Sequence, residues 1–229
     1  GVEYTLENVN PFAPPPEFVA ISPLKRIPVL RDTDLPEPNT LPDSSVICDY
    51  LEHKYPSPAL YPANAFQRAQ ALWYEEYADS LMAQCIGSGL FFERVVKRLI
   101  GKEPDESIPA KTLAERLPPV FDYLEREVDG KQFLVGGAFS IADISITTML
   151  VNFLHSGEVL DTGRWPKLAA YAARIHAQGA APVHWSQRCS RPSAVQPCRQ
   201  RNDRHRCPNK FFCNVHENSC KFFYVRKTV

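Results

Sequence analysis

Long apolar runs are missing from this sequence. None reaches the roughly 18 residues that a helix needs to cross a bilayer, so no membrane span is expected. Excess charge is missing too: 26 basic residues face 26 acidic ones. Methionine is scarce, with two in 229 residues, and the sequence opens on Gly1 rather than Met. No basic stretch followed by an apolar one precedes Glu3 and Tyr4, so no signal peptide is visible. The expectation is a cytoplasmic protein whose opening segment lies upstream of Gly1. No Cys-x-x-Cys pair occurs, and the spacing of the cysteines and histidines near the end fits no standard zinc pattern.

What is present divides into three zones. Residues 1–62 mix short elements. Glu3-Tyr4-Thr5-Leu6-Glu7-Asn8-Val9 has the alternation of a strand, a proline-rich stretch follows, and residues 26–31 form a second strand pattern. Residues 35–41 read as a hairpin or loop. Residues 44–55 read as a helix with Val46, Ile47, Tyr50 and Leu51 on one face, stopped by Pro56 and Pro58.

Residues 63–178 are all helix. Phe66, Ala69, Trp73, Tyr77 and Leu81 recur at helical spacing, as do Leu113, Leu117, Val120, Phe121 and Leu124. Residues 141–154 are apolar nearly all round, which places that helix in the middle of a bundle. Trp165-Pro166 opens a last helix. Residues 179–229 show no sustained period, hold five of the seven cysteines, and from Trp185 onward carry ten Arg and Lys against Asp203 and Glu217. This basic, Cys-rich tail is expected to be disordered. Cys48 and Cys85 stand alone in the remainder, the usage of a reducing compartment.

Three short motifs carry most of the information. In Arg26-Ile27-Pro28-Val29-Leu30, a proline inside a strand pattern reads either as an ordinary edge proline or as a cis proline that turns the Ile27 backbone outward toward an extended ligand. At Asp43-Ser44-Ser45, a helix N-terminus offers free N–H groups to an anion, and Asp43 offers a carboxylate to an ammonium group; plain capping explains the same residues. Phe139-Ser140-Ile141-Ala142-Asp143-Ile144 combines a capping box, Ser140 with Asp143, and a hydrophobic staple, Phe139 with Ile144. That motif is structural.

The ordered set resembles the bacterial glutathione transferases over about residues 1–178. The stretches that carry the resemblance are Phe18-Val19-Ala20-Ile21-Ser22-Pro23-Leu24-Lys25-Arg26-Ile27-Pro28-Val29-Leu30, Pro42-Asp43-Ser44-Ser45-Val46-Ile47-Cys48-Asp49-Tyr50-Leu51, and Phe139-Ser140-Ile141-Ala142-Asp143. The resemblance implies an α/β thioredoxin-like part over 1–62, incomplete here, followed by an all-α helical bundle. It implies glutathione as co-substrate with no other cofactor, a small electrophilic partner molecule, and a homodimer. Attack of the glutathione thiolate on an electrophilic carbon is the reaction of the family. By position, Ile27 and Pro28 meet the cysteinyl part of glutathione, Asp43 and Ser44 the γ-glutamyl head, and Arg26 the glycyl carboxylate. Trp73, Tyr74 and Tyr77 read either as acceptor-cleft residues or as core.

Two departures qualify the resemblance. Lys25 stands where the family places a glycine, so the turn before Arg26 is expected to be strained. The family's first strand and helix, which carry the residue that binds the glutathione sulfur, match nothing here. Hence no catalytic residue is assigned, and whether the chain is an active enzyme or a non-catalytic binding protein of the same fold stays open. Loss of the first strand is expected to leave β hydrogen-bonding groups beside residues 27–30 unpaired and activity impaired. The tail reads as a frameshifted or otherwise unrelated C-terminus, or as a basic binding segment; nucleic acid is not the expected partner.

Overall fold

Prolines open the first helix of the protein. The computed structural model describes residues 4–10, 12–179 and 223–226. Strand β1 (Thr5–Asn8) leads through Pro14 and Pro15 into α1 (Pro16–Ile21). Pro16 sits in the first turn, where no N–H is needed. The helix ends at Ser22, whose N–H donates to the Phe18 carbonyl at 2.9 Å. Strands β2 (Val29–Arg31) and β3 (Thr40–Pro42) form a short antiparallel ladder with Leu30 opposite Leu41, and α2 (Ser44–Lys54) follows. This layer has a small core of its own: buried Phe18 and Val29, with Val9, Ile21 and Ile27 packed against them.

The sheet takes a fourth strand, β4 (Phe223–Arg226), from the far end of the chain, and its order is β1-β4-β2-β3. β4 runs antiparallel to β1, with Leu6 opposite Val225, and parallel to β2, with Leu30 opposite Val225. The position beside β2, which was expected to lie empty, is therefore paired along Val29–Arg31. Of the tail, Gly179 closes the last helix and these four residues form a strand; the rest of the disorder expectation lies outside the described residues.

The helical body starts at α3 (Ala65–Tyr77), capped by Asn64, whose side chain accepts from the Phe66 and Gln67 N–H groups. It runs on without a break into a π-wound segment, Ala78–Val96, and a last turn, α4 (Lys97–Leu99). Then come α5 (Ser107–Lys111), a π-wound turn (Thr112–Arg116), α6 (Leu117–Glu127), α7 (Ile141–His155) and α8 (Pro166–Gly179). Helix α7 sits in the middle and packs on α3, on Ala78–Val96 and on α8. Its buried residues point all round the axis, as the nearly all-apolar sequence requires. On α6, Leu117, Val120, Phe121 and Leu124 face the core.

Two expected faces are corrected. On α3 and its continuation the core-facing series is Ala71, Tyr74, Ala78, Met82, Cys85 and Ile86, whereas Phe66, Trp73 and Leu81 are exposed. Both series are apolar at helical spacing, so periodicity alone could not choose between them; the one facing α7 is buried. On α2, Val46 is exposed, and buried Glu52 takes its share of the inner face beside Ile47. The Glu52 carboxylate accepts from the N–H groups of Leu60 and Tyr61 and so ties the end of the α/β layer to the helical body.

Ser140 and Asp143 form the capping box at the start of α7. The Asp143 carboxylate is fully buried. It accepts from the Leu134 and Ser140 N–H groups, both at 2.9 Å, from the Ser140 hydroxyl at 3.2 Å and from the Tyr171 hydroxyl at 2.6 Å. Four donors offset the cost of burying one charge.

Candidate functional site

The strand register brings the two candidate motifs together. Val29 lies opposite Pro42, so the residues just before β2 and just after β3 are neighbours. The Asp43 N–H donates to the Pro28 carbonyl at 3.4 Å, and Arg26 Nη1 lies 3.5 Å from Asp43 Oδ2. The Ile27–Pro28 bond is cis, as are Glu37–Pro38 and Ser57–Pro58. Among the described residues no hydrogen bond engages the Ile27 backbone, which leaves both its donor and its acceptor for an extended ligand. The turn before Arg26 is closed by Ser22: its carbonyl accepts from the Lys25 N–H at 2.8 Å and its hydroxyl donates to the Arg26 carbonyl at 2.9 Å. Lys25 pays a conformational cost there, with φ at +55° in the left-handed region.

Asp43 is held in an unusual conformation, φ +116° and ψ 132°. A non-glycine residue with such dihedrals persists only where its surroundings impose it, and such residues cluster at ligand sites. Here the imposition is visible: Oδ1 accepts from the Ser45 and Val46 N–H groups at 3.0 and 3.4 Å and caps α2, while the backbone N–H is bound to Pro28. The other carboxylate oxygen faces outward toward Arg26. Ser44 stands exposed in the first turn of α2.

The helical body adds groups that sequence reasoning did not select. The Ser45 hydroxyl donates to Asp79 Oδ2 at 3.2 Å. Buried Glu75 accepts from the Tyr61 hydroxyl at 3.4 Å. Burial pushes the Glu75 carboxyl above the usual carboxylate range, and burial followed by the nearby Asp43 charge does the same for Asp79. Asp43, Glu75 and Asp79 thus form an acidic corner around the start of α2, suited electrostatically to a small cationic head. A signal for them existed in the sequence: Arg68, Glu75 and Asp79 share one face of a long helix, and that face meets α2, where Arg68 pairs with Asp49 at 2.7 Å.

Trp73 and Tyr74 are not brought to this corner. They point to α6, where the Trp73 indole donates to the Tyr123 hydroxyl at 3.0 Å and Tyr74 donates to Glu127 at 2.6 Å. Tyr77 is buried against Tyr123 and donates to the Val120 carbonyl. The core reading therefore describes Tyr74 and Tyr77, and Trp73 lies on the surface across the helix from Glu75.

Of the two described cysteines, Cys48, one turn into α2, is the one beside the corner. Burial, then the charges of Glu75, Asp79 and Asp43, push it up to about 12. It stays protonated at neutral pH and is no nucleophile. Among the described residues no cluster of side chains could hold a metal ion, and no helix is long and apolar enough to cross a membrane.

Comparison with known proteins agrees with this fold. Residues 1–59 match the family model for the glutathione S-transferase N-terminal domain, and residues 91–180 match that for the C-terminal domain. Human glutathione S-transferase theta-1 is 31% identical over 162 residues, which are 70% of this chain and 65% of that one. The chain thus spans just under two thirds of the theta-class relatives it matches. Among solved structures, a glutathione S-transferase from Rhodospirillum rubrum F11 superposes with a TM-score of 0.66 at 25% identity, covering 73% of this chain and 74% of its own. The human theta-class enzyme in complex with the glutathione conjugate of 1-menaphthyl sulfate superposes with a TM-score of 0.61 at 28% identity, covering 71% and 65%. The ordered motifs, the fold and both domain matches agree: the chain belongs to the glutathione S-transferase superfamily.

Proposed function

We propose that this protein binds glutathione at the corner formed by Ile27, Pro28, Asp43 and Ser44, and that the family reaction, attack of the glutathione thiolate on a small electrophile, is the chemistry the site serves. The observation that carries the reading is Asp43. Its strained backbone, its cap on α2 and its contact to Arg26 hold a carboxylate beside an unengaged Ile27 backbone. An extended tripeptide pairs there through its middle residue, while its ammonium-bearing head lies against Asp43 and Ser44 and its far carboxylate toward Arg26. The relative solved with a glutathione conjugate supports the ligand class. Glutathione enters as co-substrate, and no metal takes part. As in the family, the working unit is a homodimer in the cytoplasm.

Cys48 cannot substitute for the thiol of the ligand, and no described side chain is placed to activate that thiol. A non-catalytic binding role on the same fold is the second reading. Calorimetric titration with glutathione tests the site. Asp43→Ala and Ser44→Ala should each weaken binding about tenfold, the loss of one hydrogen bond to a charged group. An unchanged Kd in both variants, or no binding by the parent protein, overturns the assignment. Conjugation of an aryl halide, followed by absorbance, separates the enzyme reading from the binding one.

A further inference from the structure

We propose that β1 and β2 form a strand-acceptor slot whose occupant is this chain's own Phe223–Arg226, and that the glutathione site is assembled only while the slot is filled. The second half rests on the reading of the site given above; the first half does not. Without β4 the other three strands have little pairing. Among the described residues β1 pairs with β4 and with no other strand. β2 and β3 pair over only three residues each. An isolated two-stranded ladder of that length is marginal in water, and the layer's own buried core is Phe18 and Val29. β4 is what joins β1 to the β2–β3 pair, contributing four residues of antiparallel and three of parallel pairing. Recognition of this kind is main-chain addition of an extended segment to open sheet edges, here on both sides of the segment at once.

The slot and the site share a continuous ladder. Val29 lies between Tyr224 on one side and Pro42 on the other. Ile27–Pro28 immediately precede Val29, and Asp43 immediately follows Pro42. Withdrawal of β4 therefore frees one side of the strand that sets the spacing between Ile27 and Asp43.

Val225→Pro in the full chain tests the proposal. A proline removes a ladder N–H and is poorly tolerated in a central strand. Amide hydrogen exchange at residues 5–8 and 29–31 should quicken at least tenfold, exchange within α7 should not change, and the glutathione Kd should weaken at least tenfold. A synthetic peptide of residues 221–229 added to the variant should restore protection at both strands, because it can enter the slot that the altered segment leaves. Unchanged exchange at β1 and β2 in the variant overturns the proposal. So does protection in the parent protein that falls on dilution together with a dimer-to-monomer change by light scattering, since the strand would then come from a second copy. Lost protection with an unaltered glutathione Kd overturns the coupling. If the parent protein binds no glutathione while the exchange pattern follows the expectation, the reading of the site fails and the slot stands.

Discussion

The Tyr171 hydroxyl donates to Asp143 Oδ1 at 2.6 Å, and through this one bond the last helix is fastened to the first turn of the central one. Both residues are buried. Burial, then the Asp143 charge, push the Tyr171 phenol up, so the bond persists across the pH range in which proteins are handled. Asp143→Ala removes the acceptor and strands the Leu134 and Ser140 N–H groups and the Tyr171 hydroxyl. Each unsatisfied buried donor costs about 1–3 kcal/mol, so a loss of about 3 kcal/mol or more is expected by urea denaturation. Ser140→Ala keeps the carboxylate and should cost about 1 kcal/mol. A smaller effect for Asp143→Ala than for Ser140→Ala would show that the hub is not what holds the two helices.

Acid should weaken the contacts that Asp32 makes in the α/β layer. Burial raises the Asp32 carboxyl, but hydrogen bonds from Lys54 and Tyr50 outweigh it and hold the group at about 2, below its ordinary 3.8. The folded value lies below the unfolded one. The stabilisation is therefore complete above about pH 4 and is lost as pH falls toward 2. Asp32→Asn should remove that part of the acid dependence, measured as thermal midpoint against pH between 5 and 2, and lower the midpoint at neutral pH.

At position 25 the order of stability should be Gly at least equal to Lys, and Lys above Val. Lys25 is exposed and has φ at +55°, so its side chain contributes little while its backbone is strained. Left-handed φ costs an L-residue about 1–2 kcal/mol, most for β-branched side chains. Glycine escapes that cost but loses about 0.5–1 kcal/mol through a freer unfolded chain. A net gain of up to about 1 kcal/mol for Lys25→Gly is expected from chemical denaturation; a clear loss would contradict the strain argument.

Cys48 should resist alkylation in the folded protein. With the thiol pushed up to about 12 by burial and neighbouring carboxylates, modification by iodoacetamide at pH 8, followed on the Cys48 peptide by mass spectrometry, should be at least about a hundredfold slower than in denaturant. Equal rates in the two states would show that the helix opens readily or that the acidic corner is not formed.

How much of this was legible in the sequence differs from residue to residue. The capping box at Ser140 and Asp143 could be read because both its partners lie within one turn. Tyr171 and Leu134, which complete it, could not, since nothing local links them to Asp143. The candidate site showed the same division. Ile27, Asp43 and Ser44 sit in short motifs, but Ser45, Glu75 and Asp79 meet only because α2 docks on α3. The exposed face of α3 was misread because Phe66–Trp73–Leu81 and Tyr74–Ala78–Met82 are equally periodic. Strand β4 could not be anticipated at all: four residues in a segment without periodicity carry no signal until β1 and β2 present their edges.

That strand also sets a timetable. Leu6 and Val225 stand opposite each other in the sheet yet are made about 220 residues apart in translation. At about 5–20 residues per second, the N-terminal residues wait roughly ten to forty seconds for the partner that completes their ladder. The helical body, whose contacts are closer along the chain, can form during that interval. The ribosome therefore presents a bundle carrying an open pair of edges, and it is in this nascent form that the protein is most exposed to chaperones, to proteases and to strands from its neighbours.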